Sequence, residues 1–129
     1  MPDTSNKQQK RQYVVSTYLS AEERTRLITI SGKIDIPHSR IVRQLICYLL
    51  QGEIDWLEML EKTNAFNALG IKSDKSNAKK HVIRITLSKD IYINFSEYVA
   101  KKDSLTTKTL RRLILLFINN EIEWEKLWM

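Results

Sequence analysis

Residues 82–88 read Val-Ile-Arg-Ile-Thr-Leu-Ser, and this stretch decides the fold. Ile83, Ile85 and Leu87 alternate with Val82, Arg84 and Thr86, the period-2 pattern of a strand with one apolar face, and Ser88 then supplies a helix N-cap. The same signal occurs earlier, at residues 14–20, where Val15, Thr17 and Leu19 alternate with Val14, Ser16 and Tyr18 before Ser20. Setting Leu19 on Leu87 fixes an offset of 87 − 19 = 68, which runs without a gap to the end of the chain. Over residues 14–61 it gives 11 identities in 48 positions, against roughly 3 expected from average composition. They include Lys33/Lys101, Asp35/Asp103, Arg43/Arg111, Leu45/Leu113, Ile54/Ile122 and Trp56/Trp124. The chain therefore contains one half-domain twice.

Outward from each strand, two helices follow. Ser20 with Glu23 three residues later is a capping box, and Ser88 holds the equivalent N-cap. The apolar stripe of this first helix is Leu27, Ile28 and Ile30 in copy one, and Ile91, Phe95, Tyr98 and Val99 in copy two. Asp35 and Asp103 stand where it should leave the right-handed region. A second helix is predicted to begin near Pro37 or Leu105, with Val42, Leu45, Ile46 and Leu49, or Leu110, Leu113, Ile114 and Phe117, on one face. The expected organisation is a basic arm over 1–11, one repeat with a helical extension over 12–61, a linker over 62–79, and the second repeat with its extension over 80–129. A lone short strand cannot satisfy its backbone groups, and two helices offer it too little core. Two copies resolve both problems if their strands pair antiparallel over four interlocked helices. The predicted fold is mainly α with a two-stranded antiparallel ribbon.

Composition narrows the function. The 129 residues carry 21 Lys+Arg against 15 Asp+Glu, a net charge of +6, and 43% are hydrophobic, enough for one packed domain. A single cysteine, Cys47, forms no internal disulfide and suits a reducing cytoplasm. The apolar run Leu45–Leu50 is far too short to cross a bilayer, and Met1–Arg11 contains no signal-peptide core. Two histidines and one cysteine leave little for metal chemistry, so no cofactor or metal is expected. A glycine-rich phosphate loop, a Ser/His/Asp arrangement and a spaced pair of buried carboxylates are all missing from the sequence, and no enzymatic activity is expected. The charge is polarised: residues 62–80 hold five lysines and one aspartate, whereas 53–61 hold Glu53, Asp55, Glu58 and Glu61. A basic flank beside the strands points to nucleic acid.

At VIRITLS (Val82–Ser88) and PHSRIVRQLI (Pro37–Ile46) the sequence resembles the ribbon-helix-helix family of DNA-binding proteins, the MetJ/Arc/CopG type. The interval from strand-end leucine to second helix also matches, at 37 − 19 = 18 and 105 − 87 = 18. The resemblance covers most of residues 12–56 and 80–124 and implies an intramolecular pseudo-dimer of two β-α-α repeats. It implies that the ribbon enters the major groove of double-stranded DNA, with Val14, Ser16, Tyr18, Val82, Arg84 and Thr86 towards the base edges. Because the copies differ at their polar reading positions, the site should be asymmetric, with Arg84 favouring guanine in one half. It further implies phosphate contacts at the second-helix N-termini, by His38, Ser39 and Arg40 in copy one and Thr106, Thr107 and Lys108 in copy two. Lys10, Arg11, Lys79 and Lys80 would add contacts beside the ribbon. Pro37 and Leu105 stand where the family more often has Ser or Thr.

Plainer readings stand beside these. Arg84 is either a base reader or a solvated strand residue; Tyr18 either reads or covers the ribbon edge. Arg43 and Arg111 are expected to be structural, pairing with first-helix or tail acids, and Cys47 to be a small core residue. Trp56 and Trp124 either enlarge the core or, with Trp128, form an apolar C-terminal patch through which chains associate on adjacent sites. The leading function is a transcriptional repressor in the cytoplasm, associated with the nucleoid. A plasmid accessory factor at a transfer origin, copy-control or partition locus is the rival. An antitoxin or protein-binding adaptor fits less well, because the chain ends in Glu-Lys-Leu-Trp-Met rather than a polar tail.

Overall fold

The computed structural model describes residues 13–66, 81–123 and 125. Among these the order is strand β1 (Tyr13–Leu19), helices α1 (Ala21–Ile34), α2 (His38–Leu50) and α3 (Trp56–Asn64), strand β2 (His81–Leu87), and helices α4 (Lys89–Lys101) and α5 (Thr106–Ile118). The molecule is mainly helical, with one two-stranded antiparallel sheet. The 68-residue offset reappears in the backbone: β1 and β2 start at 13 and 81, and α2 and α5 at 38 and 106. Asp35 and Asp103 both have φ 58°, the left-handed turn expected of them. A second such pair was not expected: Gly52 (φ 84°) and Asn120 (φ 62°) end α2 and α5. There Glu53 N donates to Tyr48 O and Glu121 N to Leu116 O, the same helix-ending bond in both copies.

Both predicted strand faces are present. Val15, Thr17, Leu19, Ile83, Ile85 and Leu87 are all buried. Beneath them lie Leu27 and its counterpart Phe95, with Val42, Leu45, Ile46, Leu49, Leu110, Leu113, Ile114 and Phe117 from the second helices. The stripe of α1 is narrower than predicted: Leu27 is buried, Ile30 and Ile34 pack on the core, but Ile28 is exposed, one residue too far around the helix. The capping box forms in full, Ser20 N donating to Glu23 Oε1 (2.9 Å) and Glu23 N to Ser20 Oγ (3.1 Å). Ser88 Oγ accepts from Ile91 N at 3.3 Å.

The copies diverge around α5. Every residue from Thr109 to Ile118 is buried, whereas Arg43, Gln44, Cys47 and Tyr48 on α2 are only half-buried. Helix α3 packs along α5, where it meets Arg112 and Leu116. Cys47 is thus at the margin of the core, not inside it, and burial raises its thiol pKa. Helix α3 continues to Asn64, three residues into the segment expected as a linker. Arg112 holds its last turn, Nη1 donating to Leu60 O (3.3 Å), Thr63 Oγ1 (2.6 Å) and Asn64 Oδ1 (3.0 Å). A buried cation at a helix C-terminus also meets the negative end of its dipole. The equivalent of Arg112 in copy one is Gln44, which carries no guanidinium. Arg112→Leu is expected to speed amide exchange in residues 60–64 by about tenfold or more relative to α2, the scale of lost charge-assisted bonds; exchange followed by mass spectrometry checks it.

Trp56 is half-buried, edge-on to Tyr98 at 5.9 Å between ring centroids, with Lys102 Nζ 6.0 Å from its ring. Burial, with Asp55 nearby, raises the Tyr98 phenol pKa. Trp124, Trp128 and the rest of the proposed association segment, the arm with Lys10 and Arg11, and Lys79 and Lys80 lie outside the described residues. No helix among those described is long and apolar enough to cross a membrane.

Candidate nucleic-acid interface

The ribbon register determines what its outer face presents. Val14 pairs with Thr86, Ser16 with Arg84, and Tyr18 with Val82. Val14, Tyr18, Val82, Arg84 and Thr86 are exposed, Tyr18 at 48%, and Ser16 is half-buried between its neighbours. All six expected reading residues therefore share one solvent-facing surface, in three cross-strand pairs. Ser16 and Arg84 are also equivalent under the repeat, since 16 + 68 = 84. The ribbon's pseudo-twofold centre passes between them. Arg84 accordingly belongs to the centre of the face rather than to one half, as had been expected from the sequence. Tyr18 and Val82 flank the centre on one side, Val14 and Thr86 on the other.

The second-helix N-termini adjoin this ribbon. Thr17 Oγ1, buried beneath β1, donates to Thr107 O in the first turn of α5 at 2.8 Å. Pro37 and Leu105 are the N-caps, one residue before the helix starts, and neither side chain caps its helix. Pro37 (φ −58°, ψ 141°) delivers the chain in extended form, and its carbonyl accepts from Arg40 N (3.0 Å) and Ile41 N (3.2 Å). The leading amides of α2 and α5 thus lack intrahelical acceptors, and neither first turn holds an acid. Around them His38, Ser39, Thr106 and Thr107 are half-buried, while Arg40 and Lys108 are exposed. Burial and the charge of Arg24 lower the His38 pKa, leaving it a neutral donor or acceptor near pH 7.5. Arg24 was missed from the sequence, because α1 alone gives no hint that its exposed cation faces the start of α2.

Two internal pairings also position the face. Arg111 makes a bidentate bond with Glu23, at 2.7 Å (Nη1–Oε1) and 2.9 Å (Nη2–Oε2), and Nη1 donates to Tyr18 O at 3.1 Å. The structural role expected for Arg111, with a first-helix acid as its partner, is present, and it joins the two copies. Arg26 Nη2 donates to Ile118 O (2.5 Å) and Asn119 Oδ1 (3.1 Å), closing the end of α5.

The opposite pole has the other sign. A groove of about 300 Å3 lies between α3 and the end of α5, lined by Tyr48, Ile54, Met59, Leu116 and Ile122 together with Glu53, Asp55, Glu58, Glu121 and Glu123. Lys62 Nζ spans two of these acids, 3.1 Å from Glu58 Oε2 and 3.1 Å from Glu121 Oε1, and both raise its pKa. The first and last turns of α5 lie about 20 Å apart, the first beside the ribbon and the last at this acidic groove. Among the described residues no cluster of three or more His, Cys, Asp or Glu side chains is placed to hold a metal ion. No protein-family model, curated protein or solved structure matches the chain.

Proposed function

We propose that the chain is a tandem ribbon-helix-helix protein, one intramolecular pseudo-dimer that binds double-stranded DNA sequence-specifically and represses transcription by occupying a promoter. The observation that carries this reading is the solvent-facing ribbon surface, with Arg84 opposite Ser16 at its centre and Tyr18 and Thr86 to either side, each paired with a valine. A two-stranded ribbon fits the major groove, where a guanidinium can bond guanine O6 and N7 together. Supporting it are two acid-free, uncapped helix N-termini beside the ribbon and a charge distribution that turns the acidic end away.

Selection of bound duplexes from a random pool, followed by footprinting, tests the reading directly. One asymmetric sequence should be enriched, and its binding constant should fall linearly with salt on a logarithmic plot, with a slope of about −0.9 per phosphate contact. Arg40→Ala should reduce that slope by about one. His38→Gln should leave the slope unchanged at pH 7.5, because the lowered pKa keeps the imidazole uncharged there; its charge contributes only as pH falls below the ordinary histidine range. A flat salt response, or a pool without an enriched sequence, refutes the proposal.

A further inference from the structure

We infer that Glu23 and Arg111 are positioning residues for Tyr18, fixing one side of the ribbon's reading face; this rests on the DNA-binding reading above. Three neighbouring points of β1 and its exit are held by directional polar bonds. Thr17 Oγ1 donates to Thr107 O (2.8 Å), Arg111 Nη1 donates to Tyr18 O (3.1 Å), and Ser20 N donates to Glu23 Oε1 (2.9 Å). The Glu23 carboxylate joins the last two, since it also accepts both terminal nitrogens of Arg111, which is 4% exposed. The backbone that carries the Tyr18 ring is thereby tied to α1 of its own copy and α5 of the other.

Among the described residues copy two forms no such network at the matching places. The equivalents of Thr17 and Glu23 are Ile85 and Ile91, whose side chains can form neither bond, and Ser88 Oγ accepts from Ile91 N. Thr86, the counterpart of Tyr18, therefore sits on a strand end located by apolar packing. Non-directional packing fixes depth well and rotation poorly, whereas bidentate guanidinium–carboxylate geometry fixes both. A large, half-exposed ring needs that control more than a threonine does, because a small backbone rotation moves its hydroxyl furthest.

The test is the double variant Glu23→Ile with Arg111→Leu, which removes the tether without stranding a buried charge and so should stay folded. On the selected site, preference at the base pair flanking the centre on the Tyr18 side should fall about tenfold. Preference at the central pair and affinity for random duplex should stay within about twofold of the parent. In the free protein, the amide signals of residues 17–19 should shift or broaden while those of 85–87 keep their positions. Glu23→Gln, which keeps size and one acceptor, should show the same changes in smaller measure and serves if the double variant does not fold. A folded variant with unchanged preference beside the centre, or with unmoved signals at 17–19, overturns the inference. A parent protein that selects no sequence overturns the DNA reading instead, and the amide signals still decide whether the tether positions Tyr18.

Discussion

Glu23→Ala is expected to lower the free energy of unfolding by about 3–5 kcal/mol, the cost of removing one partner from a buried ion pair. Three losses coincide at this one side chain. Arg111, 4% exposed, keeps its charge but loses both carboxylate oxygens, at 2.7 and 2.9 Å. The capping box loses the acceptor for Ser20 N. The two copies lose a directional link between α1 and α5. In a domain of this size the melting temperature should fall by about 10–20 °C. Chemical denaturation read by circular dichroism measures it, with Glu22→Ala, an exposed neighbour in the same turn, as a control expected within about 0.5 kcal/mol. A loss below about 1 kcal/mol would show that water or another group rescues Arg111. Replacing both partners by apolar residues should cost far less, since the penalty lies in the stranded charge rather than in the absent bond.

That pair marks the boundary of what the sequence reveals. Strand faces, the capping box and both left-handed aspartates follow from period, spacing and residue chemistry within about twenty residues, and each stands where those rules put it. The offset reaches further than the identities do: Gly52 and Asn120 end their helices alike, a pair for which Gly52 was the available signal. What could not be read was which face of a helix meets which neighbour. Ile28 looks apolar but rotates out, and Cys47 stays at the margin although its neighbours Ile46 and Leu49 are buried. Arg111 was recognisable as structural, yet its choice of Glu23 depends on two helices crossing 88 residues apart. Arg24 beside His38 and Arg112 on the end of α3 are likewise products of packing.

Arg84→Ala is expected to lower affinity for the selected duplex by about 1–3 kcal/mol, with a much smaller loss on random sequence. The register makes the prediction more specific than the loss of one base contact. Ser16 and Arg84 face each other at the pseudo-twofold centre, so a symmetric ribbon would present like residues there, and this one presents a single guanidinium. The lost discrimination should therefore map to the central base pairs of the footprint, not to a flank. The same geometry assigns orientation. The flanking pairs Val14/Thr86 and Tyr18/Val82 differ mainly by Thr against Tyr, whereas the centre differs by a full charge. Exchanging the central residues, Ser16→Arg with Arg84→Ser, moves the guanidinium to the other strand while leaving its height in the groove nearly unchanged. Selection with the exchanged protein should then return a site whose central guanine has moved to the opposite DNA strand, with the flanks kept and affinity within about tenfold of the parent. Equal loss on every duplex for Arg84→Ala would reduce Arg84 to a phosphate contact, and an unchanged centre after the exchange would remove it from the reading face altogether.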